Sequence, residues 1–302
     1  MDTVLYRADA PGNWGQMQAP AGGQTGEDQL VSPDNPSIYY RYWRIEGAPA
    51  TLLWLHGLGA HSGWFIDVGN AIAARGLNFY ALDHRGFGRS GGTRGHSSDW
   101  HLFLADIDRM VDRVRSDASG KPLFILGHSM GGIFAIHYTA AHQDKLTGML
   151  LLNPWIADQT KLNLGVVFSI LLGGMRGSQQ LVHLPDTKST AGMTDNSEAA
   201  KMLQSDPYWT YERTKGFYWQ INQMRMQVLA RARQITIPVF VMQASDDKAV
   251  VAAASRKAYD TMPSRDKTWK EYPDYEHDSE FEIDRSAMDG DIAAWIKEHA
   301  GT

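Results

Sequence analysis

Short apolar runs alternate with segments of helical periodicity along most of this chain. The runs are apolar on both faces, which is typical of strands that lie inside a parallel sheet. The segments between the first four runs have one apolar and one polar face, as amphipathic helices do. An alternating strand at 37–45 precedes the predicted buried strands, which lie at 51–57, 78–84, 122–129, 146–154 and 238–245.

The order of these elements predicts an α/β fold with a doubly wound, mostly parallel sheet and helices on both faces. Parallel neighbours need helical crossovers, and these crossovers are right-handed. In such sheets ligands bind beyond the carboxyl ends of the strands. Residues that directly follow a strand are therefore the candidates for chemistry.

The alternation is interrupted between the strand that ends near Asn153 and the one that starts near Pro238. A gap of about 80 residues is far longer than an ordinary connection between a strand and the next. We therefore predict a helical cap at 155–234, inserted into a core that is formed by 37–154 and 235–302.

The composition narrows the classes of function. The 302 residues carry a formal net charge of -5 and include no cysteine. This charge leaves no basic field for nucleic acid, and the lack of cysteine excludes disulfides, thiolate metal sites and a cysteine nucleophile. Residues 1–36 are rich in Gly, Pro, Gln and Asp, which predicts a loop-rich lead-in that is partly disordered at its start.

No targeting or membrane segment is predicted. Residues 1–23 lack a basic start followed by an apolar run, so they do not resemble a secretory signal. The longest apolar segment, 164–175, is too short to cross a bilayer. A cytoplasmic location is therefore expected.

Two stretches match Gly-x-Ser-x-Gly, a pattern that can place a serine nucleophile on a turn between a strand and a helix. Ser129 has this context, with an apolar strand before it and a helical segment at 130–142 after it. A helix N-terminus there offers unpaired N–H groups to a developing negative charge, although a plain N-cap serine is the alternative. Ser90 is followed by "GGTRG", which is a poor helix start, so we interpret Ser90 as a loop residue.

A serine nucleophile needs a base, and the base needs a third group that orients it. Of the eleven histidines, His277 is the predicted base, because it lies between a strand-like segment at 268–274 and the last predicted helix at 286–300. The other histidines are interpreted as structural, and they are His56, His61, His84, His96, His101, His128, His137, His142, His183 and His299.

The orienting acid is expected after the strand at 238–245, where Asp246 and Asp247 are adjacent. The pattern does not separate them, because a shift of one residue moves a carboxylate by several ångströms. Asp158 and Asp274 are further candidates, and aspartates also form turns after strands without any chemical role.

Four motifs, in order along the chain, resemble the monoacylglycerol lipase and lysophospholipase branch of the α/β-hydrolase family. They are "LHGLGAHSGWF", "LDHRGFGRSGGTRGH", "GHSMGG" and a segment that runs from "SDDKAVV" to "YPDYEHDSEFE". The resemblance extends from about Tyr40 to His299, although the cap is only loosely similar. It implies the α/β-hydrolase fold.

The resemblance also selects the acid. In that branch the aspartate precedes a basic residue and a short apolar run, which matches Asp247 before Lys248. The chain order Ser129, Asp247, His277 is that of the α/β-hydrolases.

The resemblance further implies an oxyanion hole formed by the backbone N–H groups of Leu58 and Met130. Glu282 matches a glutamate of that branch, to which we assign only a structural role. The implied activity is hydrolysis of carboxylic esters through an acyl-enzyme on Ser129, and we expect monoacylglycerols or similar lipid esters as substrates. The alternatives are an esterase for small non-lipid esters, an acyltransferase with the same triad, and a ligand receptor that keeps the fold.

The cap is the expected source of substrate contacts. Its apolar run and its aromatic segment at 206–219 would line an acyl pocket, touch a lipid surface transiently or pack the cap onto the core. The insertion has no basic cluster, which favours a neutral head group. No metal or organic cofactor is predicted, because no histidine–carboxylate cluster has ligand spacing. The candidate substrate contacts are Trp155, Leu164, Phe168, Tyr208, Trp209 and Tyr218.

Overall fold

The computed structural model describes residues 14–32, 35–159, 163–182 and 189–301. The first part of the predicted lead-in and two short parts of the predicted cap lie outside the described residues, and so does His183. Within the described ranges, an eight-stranded sheet forms the centre of the protein.

The sheet confirms the predicted α/β fold. Its strands lie in the spatial order β1-β2-β4-β3-β5-β6-β7-β8. β2 is antiparallel to both of its neighbours, and each later pair is parallel. The strands are β1 (Gly23–Ser32), β2 (Asn35–Ile45), β3 (Thr51–Leu55), β4 (Asn78–Leu82), β5 (Leu123–His128), β6 (Gly148–Leu152), β7 (Val239–Ala244) and β8 (Lys267–Tyr272).

Helices cover both faces of the sheet and form one hydrophobic core on each. β3 illustrates the division, because Leu53 and Leu55 point into one core while Leu52 and Trp54 point into the other. Side chains of α2, α3 and α6 fill the first core, and side chains of α1, α5 and α8 fill the second. The helices are α1 (Ile66–Ala74), α2 (His101–Asp117), α3 (Met130–His142), α4 (Leu164–Gly174), α5 (Ser197–Ser205), α6 (Lys215–Ala232), α7 (Ala252–Thr261) and α8 (Ser286–His299).

The loop predicted for the lead-in is wrong for Gly23–Ser32, which form the edge strand β1. β1 pairs with β2 through its backbone, and its polar side chains make ion pairs such as Glu27 with Arg41. Hydrophobic periodicity does not detect a strand that is held in this way. Trp14 also belongs to the core, because its ring is 2% exposed and stacks on Phe281.

The predicted interruption between β6 and β7 contains α4, α5 and α6. β6 ends at Leu152 and β7 begins at Val239, each one residue from the predicted position. α4 packs on α6 and leaves apolar side chains exposed, with Leu164 at 85% and Phe168 at 60%. None of the helices in the described parts of the chain is long and apolar enough to cross a membrane.

Candidate active site

Ser129 occupies a strained turn between β5 and α3. Its φ of 51° and ψ of -114° lie in a region that residues other than glycine rarely adopt. The flanking glycines are required by close approach: a Cβ on Gly127 would lie 2.2 Å from the carbonyl oxygen of Gly131, and one on Gly131 would lie 2.1 Å from that of Leu55. The turn that the sequence predicts is therefore present, and only glycine fits two positions before and two positions after the serine.

A chain of hydrogen bonds connects Ser129 to His277 and Asp247. The Nε2 atom of His277 lies 2.9 Å from Oγ of Ser129, and its Nδ1 atom lies 2.8 Å from Oδ2 of Asp247. The carboxylate accepts a hydrogen bond from Nδ1–H of His277, so Nε2 carries no proton and can accept a hydrogen bond from the serine hydroxyl. Oδ1 of Asp247 accepts the N–H groups of Ala249 at 2.8 Å and Val250 at 2.9 Å, which orients the carboxylate.

Burial and charge shift the pKa values of this pair in opposite directions. Burial alone would lower the pKa of His277, but the negative charge and hydrogen bond of Asp247 outweigh it and raise that pKa above 6.5. Burial alone would raise the pKa of Asp247, and the charge and hydrogen bond of His277 lower it instead. The arrangement therefore stabilises a histidinium next to a carboxylate.

The other candidate acids have different partners, although Asp158 lines the same cavity as His277. Asp246 is exposed and its Oδ2 atom lies 3.0 Å from Nζ of Lys248. Asp158 makes an ion pair of 2.7 Å with Arg225. Asp274 lies on the surface in a turn, where it has a positive φ of 64°. Of the four candidates, the structure brings only Asp247 to the histidine.

The second Gly-x-Ser-x-Gly serine, Ser90, has a different environment. Its Oγ atom accepts the backbone N–H of Tyr39 at 2.8 Å and donates to the backbone carbonyl of Asp83 at 2.6 Å. These bonds hold the loop after β4 against β2. This agrees with the interpretation of Ser90 as a loop residue.

A cavity of about 250 Å³ adjoins Ser129. Two of the six candidate substrate contacts, Trp155 and Trp209, line it. Within the described ranges the other four, Leu164, Phe168, Tyr208 and Tyr218, are not part of its wall. Leu164 and Phe168 lie on the outer face of α4 instead, and Tyr208 is 38% exposed.

Other wall residues were not among the sequence candidates. Trp64 lies in the motif "LHGLGAHSGWF", and its position after β3 is a signal from which a wall residue could have been predicted. Met193 and Arg213 come from the cap, and no local pattern distinguishes them from their neighbours. The guanidinium of Arg213 donates to the carbonyl of Thr210 at 3.0 Å.

The two backbone groups expected to form the oxyanion hole belong to segments that meet at Ser129. Leu58 follows β3 and lines the cavity. Met130 is the first residue of α3, where backbone N–H groups have no intrahelical acceptor.

Two buried acids and a histidine lie behind His277. The carbonyl oxygen of His277 accepts from Nε2–H of His128 at 3.1 Å, so Nδ1 of His128 is an acceptor, and it lies 3.5 Å from Oε1 of Glu280. Burial raises the pKa of Glu280 to about 7, and burial together with the charge of Glu280 raises that of Asp278 to about 7. A proton on Glu280 would therefore face the free nitrogen of His128.

Among the described residues, His128, His277 and Asp278 are close enough to hold a metal ion. However, both ring nitrogens of His277 take part in hydrogen bonds to Ser129 and Asp247. The Nε2 atom of His128 donates to a backbone carbonyl. These hydrogen bonds engage both nitrogens of His277 and Nε2 of His128, and Nδ1 of His128 faces Glu280.

Comparison with known proteins identifies the family of this chain. Residues 47–284 match the family described as "Serine aminopeptidase, S33". An uncharacterized abhydrolase domain-containing protein of Dictyostelium discoideum is 31% identical over 274 residues, which are 89% of this chain and 28% of that protein. Monoglyceride lipase of Homo sapiens is 28% identical over 283 residues, which are 90% of this chain and 91% of that protein.

A solved structure has the same fold over nearly its whole length. It is a soluble variant of monoglyceride lipase from Saccharomyces cerevisiae in complex with a substrate analog, with a TM-score of 0.81 and 23% identity. The match covers 94% of this chain and 97% of that chain. This chain is therefore a carboxylic ester hydrolase with the α/β-hydrolase fold, and it belongs to the family described as "Serine aminopeptidase, S33".

Proposed function

We propose that the protein hydrolyses monoacylglycerols or similar lipid esters through an acyl-enzyme on Ser129. The observation that carries this proposal is the hydrogen-bonded chain from Ser129 through His277 to Asp247, at 2.9 and 2.8 Å, beside a cavity. A serine, an imidazole and a carboxylate in this order are the groups that nucleophilic acyl transfer requires.

Each residue has a defined part in the proposed cycle. His277 takes the proton from Oγ of Ser129, which attacks the ester carbonyl, while Asp247 stabilises the imidazolium that forms. The N–H groups of Leu58 and Met130 bind the oxyanion of the tetrahedral intermediate. The intermediate collapses as the protonated imidazole gives its proton to the leaving alcohol. Water then attacks the acyl-enzyme by the same route and releases the acid.

The wall of the cavity supports an ester with an apolar acyl chain. Three indole rings, those of Trp64, Trp155 and Trp209, line it together with Val250. Such walls bind alkyl chains through burial of apolar surface. The relatives named monoglyceride lipase favour a glycerol head group.

Initial rates on 1-monoacylglycerols and on matched simple alkyl esters, across acyl chain lengths, test the proposal. Wild type should prefer monoacylglycerols of medium or long chain, and Ser129→Ala should lose about 10⁴-fold or more of the activity. Activity on short simple esters alone would contradict the lipid substrate and favour the esterase alternative. Transfer of the acyl group to an added alcohol in preference to water would favour an acyltransferase.

The proposal includes transient contact of α4 with a lipid surface. Its exposed apolar side chains recur every three or four residues and therefore share one face of the helix. A contiguous apolar face on a surface is typical of a site that binds a protein or a membrane. These side chains are Leu164, Val167, Phe168, Leu171 and Leu172, together with Met175 directly after the helix.

Binding to phosphatidylcholine vesicles that contain monoacylglycerol tests this contact. The double variant Leu164→Ser/Phe168→Ser should bind vesicles less than wild type and keep the wild-type rate on a soluble ester. Ile283→Ser is the matched control, because Ile283 is 72% exposed and lies outside the predicted cap. Unchanged vesicle binding by the double variant would contradict the lipid contact and leave the esterase chemistry intact.

A further inference from the structure

A buried carboxylate of the cap, Asp206, joins three parts of the protein. It directly follows α5, and its side chain is 0% exposed. Its Oδ2 atom accepts hydrogen bonds from Nε1 of Trp14 at 2.6 Å, Nε2 of His61 at 2.8 Å and Nε1 of Trp64 at 2.8 Å. Its Oδ1 atom accepts the backbone N–H of Tyr208 at 2.8 Å.

The donors around Asp206 require an ionised carboxylate. The N–H of Gly63 donates to Nδ1 of His61 at 3.1 Å, which places the proton of the neutral ring on Nε2, toward Asp206. Burial raises the pKa of Asp206, but the hydrogen bonds from His61, the Tyr208 backbone and Trp64 lower it below its ordinary value. An asparagine here would have only one acceptor oxygen. Its NH₂ group would face N–H groups that also donate.

A second contact fixes the same loop from the cap. The loop Gly57–His61, which we call the oxyanion loop, contains Leu58. The N–H of Thr210 donates to the carbonyl of Gly59 at 3.0 Å. Gly59 has a φ of 84°, and a Cβ there would lie 2.9 Å from the carbonyl oxygen of Thr210. The cap segment 206–210 therefore contacts the oxyanion loop at both His61 and Gly59.

The core holds the far end of this loop. The N–H of Ser62, the next residue, donates to Oδ1 of Asp83 at 2.6 Å. Asp83 is 0% exposed and also accepts the N–H of Arg89 at 2.6 Å. One buried aspartate of the cap therefore binds the last residue of the loop, and one of the core binds the residue after it.

We propose that Asp206 is a positioning residue, which holds His61 and Trp64 so that the Leu58 amide points at the developing oxyanion only when the cap is seated. This inference rests on the proposed function, because it takes the Leu58 amide as an oxyanion donor. It assigns the cap a second task beyond enclosing the substrate. The preorganisation of oxyanion donors then depends on a contact between regions 145 positions apart, His61 and Asp206.

The test compares Asp206→Asn with a matched cap variant, Asn196→Ala. Asn196 caps α5 by accepting the N–H groups of Glu198 and Ala199, and it makes no hydrogen bond to the oxyanion loop among those of the described residues. Asn196→Ala therefore loosens the same helix without removing a donor or acceptor from His61 or Trp64. The measurements are Tm, kcat and KM on a short soluble ester, and the inhibition constant of an alkyl boronic acid.

Asp206→Asn should lower kcat by about 10- to 100-fold with little change in KM, since a small misplacement of a catalytic group has effects of this size. It should raise the inhibition constant of the boronic acid, which mimics the tetrahedral intermediate, by a similar factor. Asn196→Ala should lower Tm and keep both kcat and the inhibition constant. Equal kcat in Asp206→Asn and wild type would overturn the inference, as would losses of kcat that follow Tm in both variants.

His61→Phe removes the donor from the other side of the contact and keeps the inference testable where Asp206→Asn does not fold. It should reproduce the loss of kcat and of boronic acid binding, and wild-type values for both would overturn the inference. Where both variants fold, the double variant Asp206→Asn/His61→Phe should lose no more kcat than the less active of the two single variants. Losses of kcat that add up in the double variant would overturn the inference. Failure of the proposed function is distinct, because wild type itself would then lack ester hydrolysis that depends on Ser129.

Discussion

Ser129 and Ser90 lie in the same five-residue pattern, and the two sites differ in almost every other respect. Both serines are 6% exposed, so burial does not distinguish them. The hydroxyl of Ser90 is bonded to two backbone groups of its own neighbourhood, whereas that of Ser129 faces the imidazole of His277. The pattern specifies a tight loop, and the chemistry depends on which remote side chain the fold brings to it.

The elements that follow each serine explain the difference. After Ser129, α3 begins at once, so the serine lies at a positive φ between the carboxyl end of β5 and the helix. After Ser90, a glycine-rich loop continues, and the serine oxygen is used to bridge that loop to β2. A serine that already satisfies backbone groups is not available as a nucleophile.

The largest effect is expected from removing each hydroxyl in turn. Ser129→Ala should reduce ester hydrolysis by about 10⁴-fold or more, because the nucleophile is lost. Ser90→Ala should keep activity within about twofold and lower the free energy of unfolding by about 1–3 kcal/mol, since two buried hydrogen bonds are lost. Steady-state rates and urea unfolding measure these effects. An equal loss of activity in both variants would contradict the assignment.

The two adjacent aspartates give the next largest contrast. Asp247→Asn should lower kcat by about 10⁴-fold, because the imidazole loses its orienting acceptor. Asp246→Asn should have little effect, since Asp246 is exposed and pairs with Lys248. Similar rates for Asp247→Asn and wild type would exclude Asp247 as the acid.

The dependence of kcat/KM on pH tests whether Asp247 acts on His277. The base acts when neutral, so kcat/KM should rise with pH through the pKa of His277, with a midpoint above 6.5 because Asp247 raises that pKa. In Asp247→Asn the midpoint should move to lower pH. A midpoint that is the same in both proteins would show that Asp247 does not act on the histidine.

The second glycine of each Gly-x-Ser-x-Gly stretch, Gly131 or Gly92, allows the cost of a steric clash to be compared with the cost of a positive φ. A Cβ in Gly131→Ala would meet the backbone oxygen of Leu55 at 2.1 Å, so the variant should lose about 3 kcal/mol or more of unfolding free energy, with most of its activity. Gly92→Ala meets its nearest atom at 3.3 Å and has a φ of 97°, so it should lose only about 1–2 kcal/mol. Urea unfolding measures both, and equal losses would contradict the steric account.

The smallest effect is expected behind the base, at Glu280. Burial raises the pKa of Glu280 from 4.5 to about 7, so the folded state binds more protons than the unfolded state between these values, and stability falls as pH rises through them. Glu280→Gln keeps a donor for His128 without a titrating charge. It should raise stability at pH 8 by on the order of 1 kcal/mol and change activity less than about threefold. Identical pH dependence of unfolding in both proteins would contradict this role.

The sequence predicted the strands and helices of the core because they depend on local periodicity, and β5, Ser129 and α3 follow the pattern closely. It failed at Gly23–Ser32, where an edge strand is held by backbone pairing and polar side chains. It also placed Leu164 and Phe168 among the candidate contacts, since hydrophobicity alone does not tell an inner face from an outer one.

What the sequence determined by itself is the order of buried strands and amphipathic helices, the strained turn at Ser129 and, by resemblance of motifs, the choice of Asp247. Only the tertiary structure decided which cap side chains reach the cavity and that Asp206 joins Trp14, His61 and Trp64. The reason is distance along the chain. Ser129 and His277 are 148 positions apart, and Trp14 and Asp206 are 192 apart, so these contacts exist only after the sheet and cap have packed.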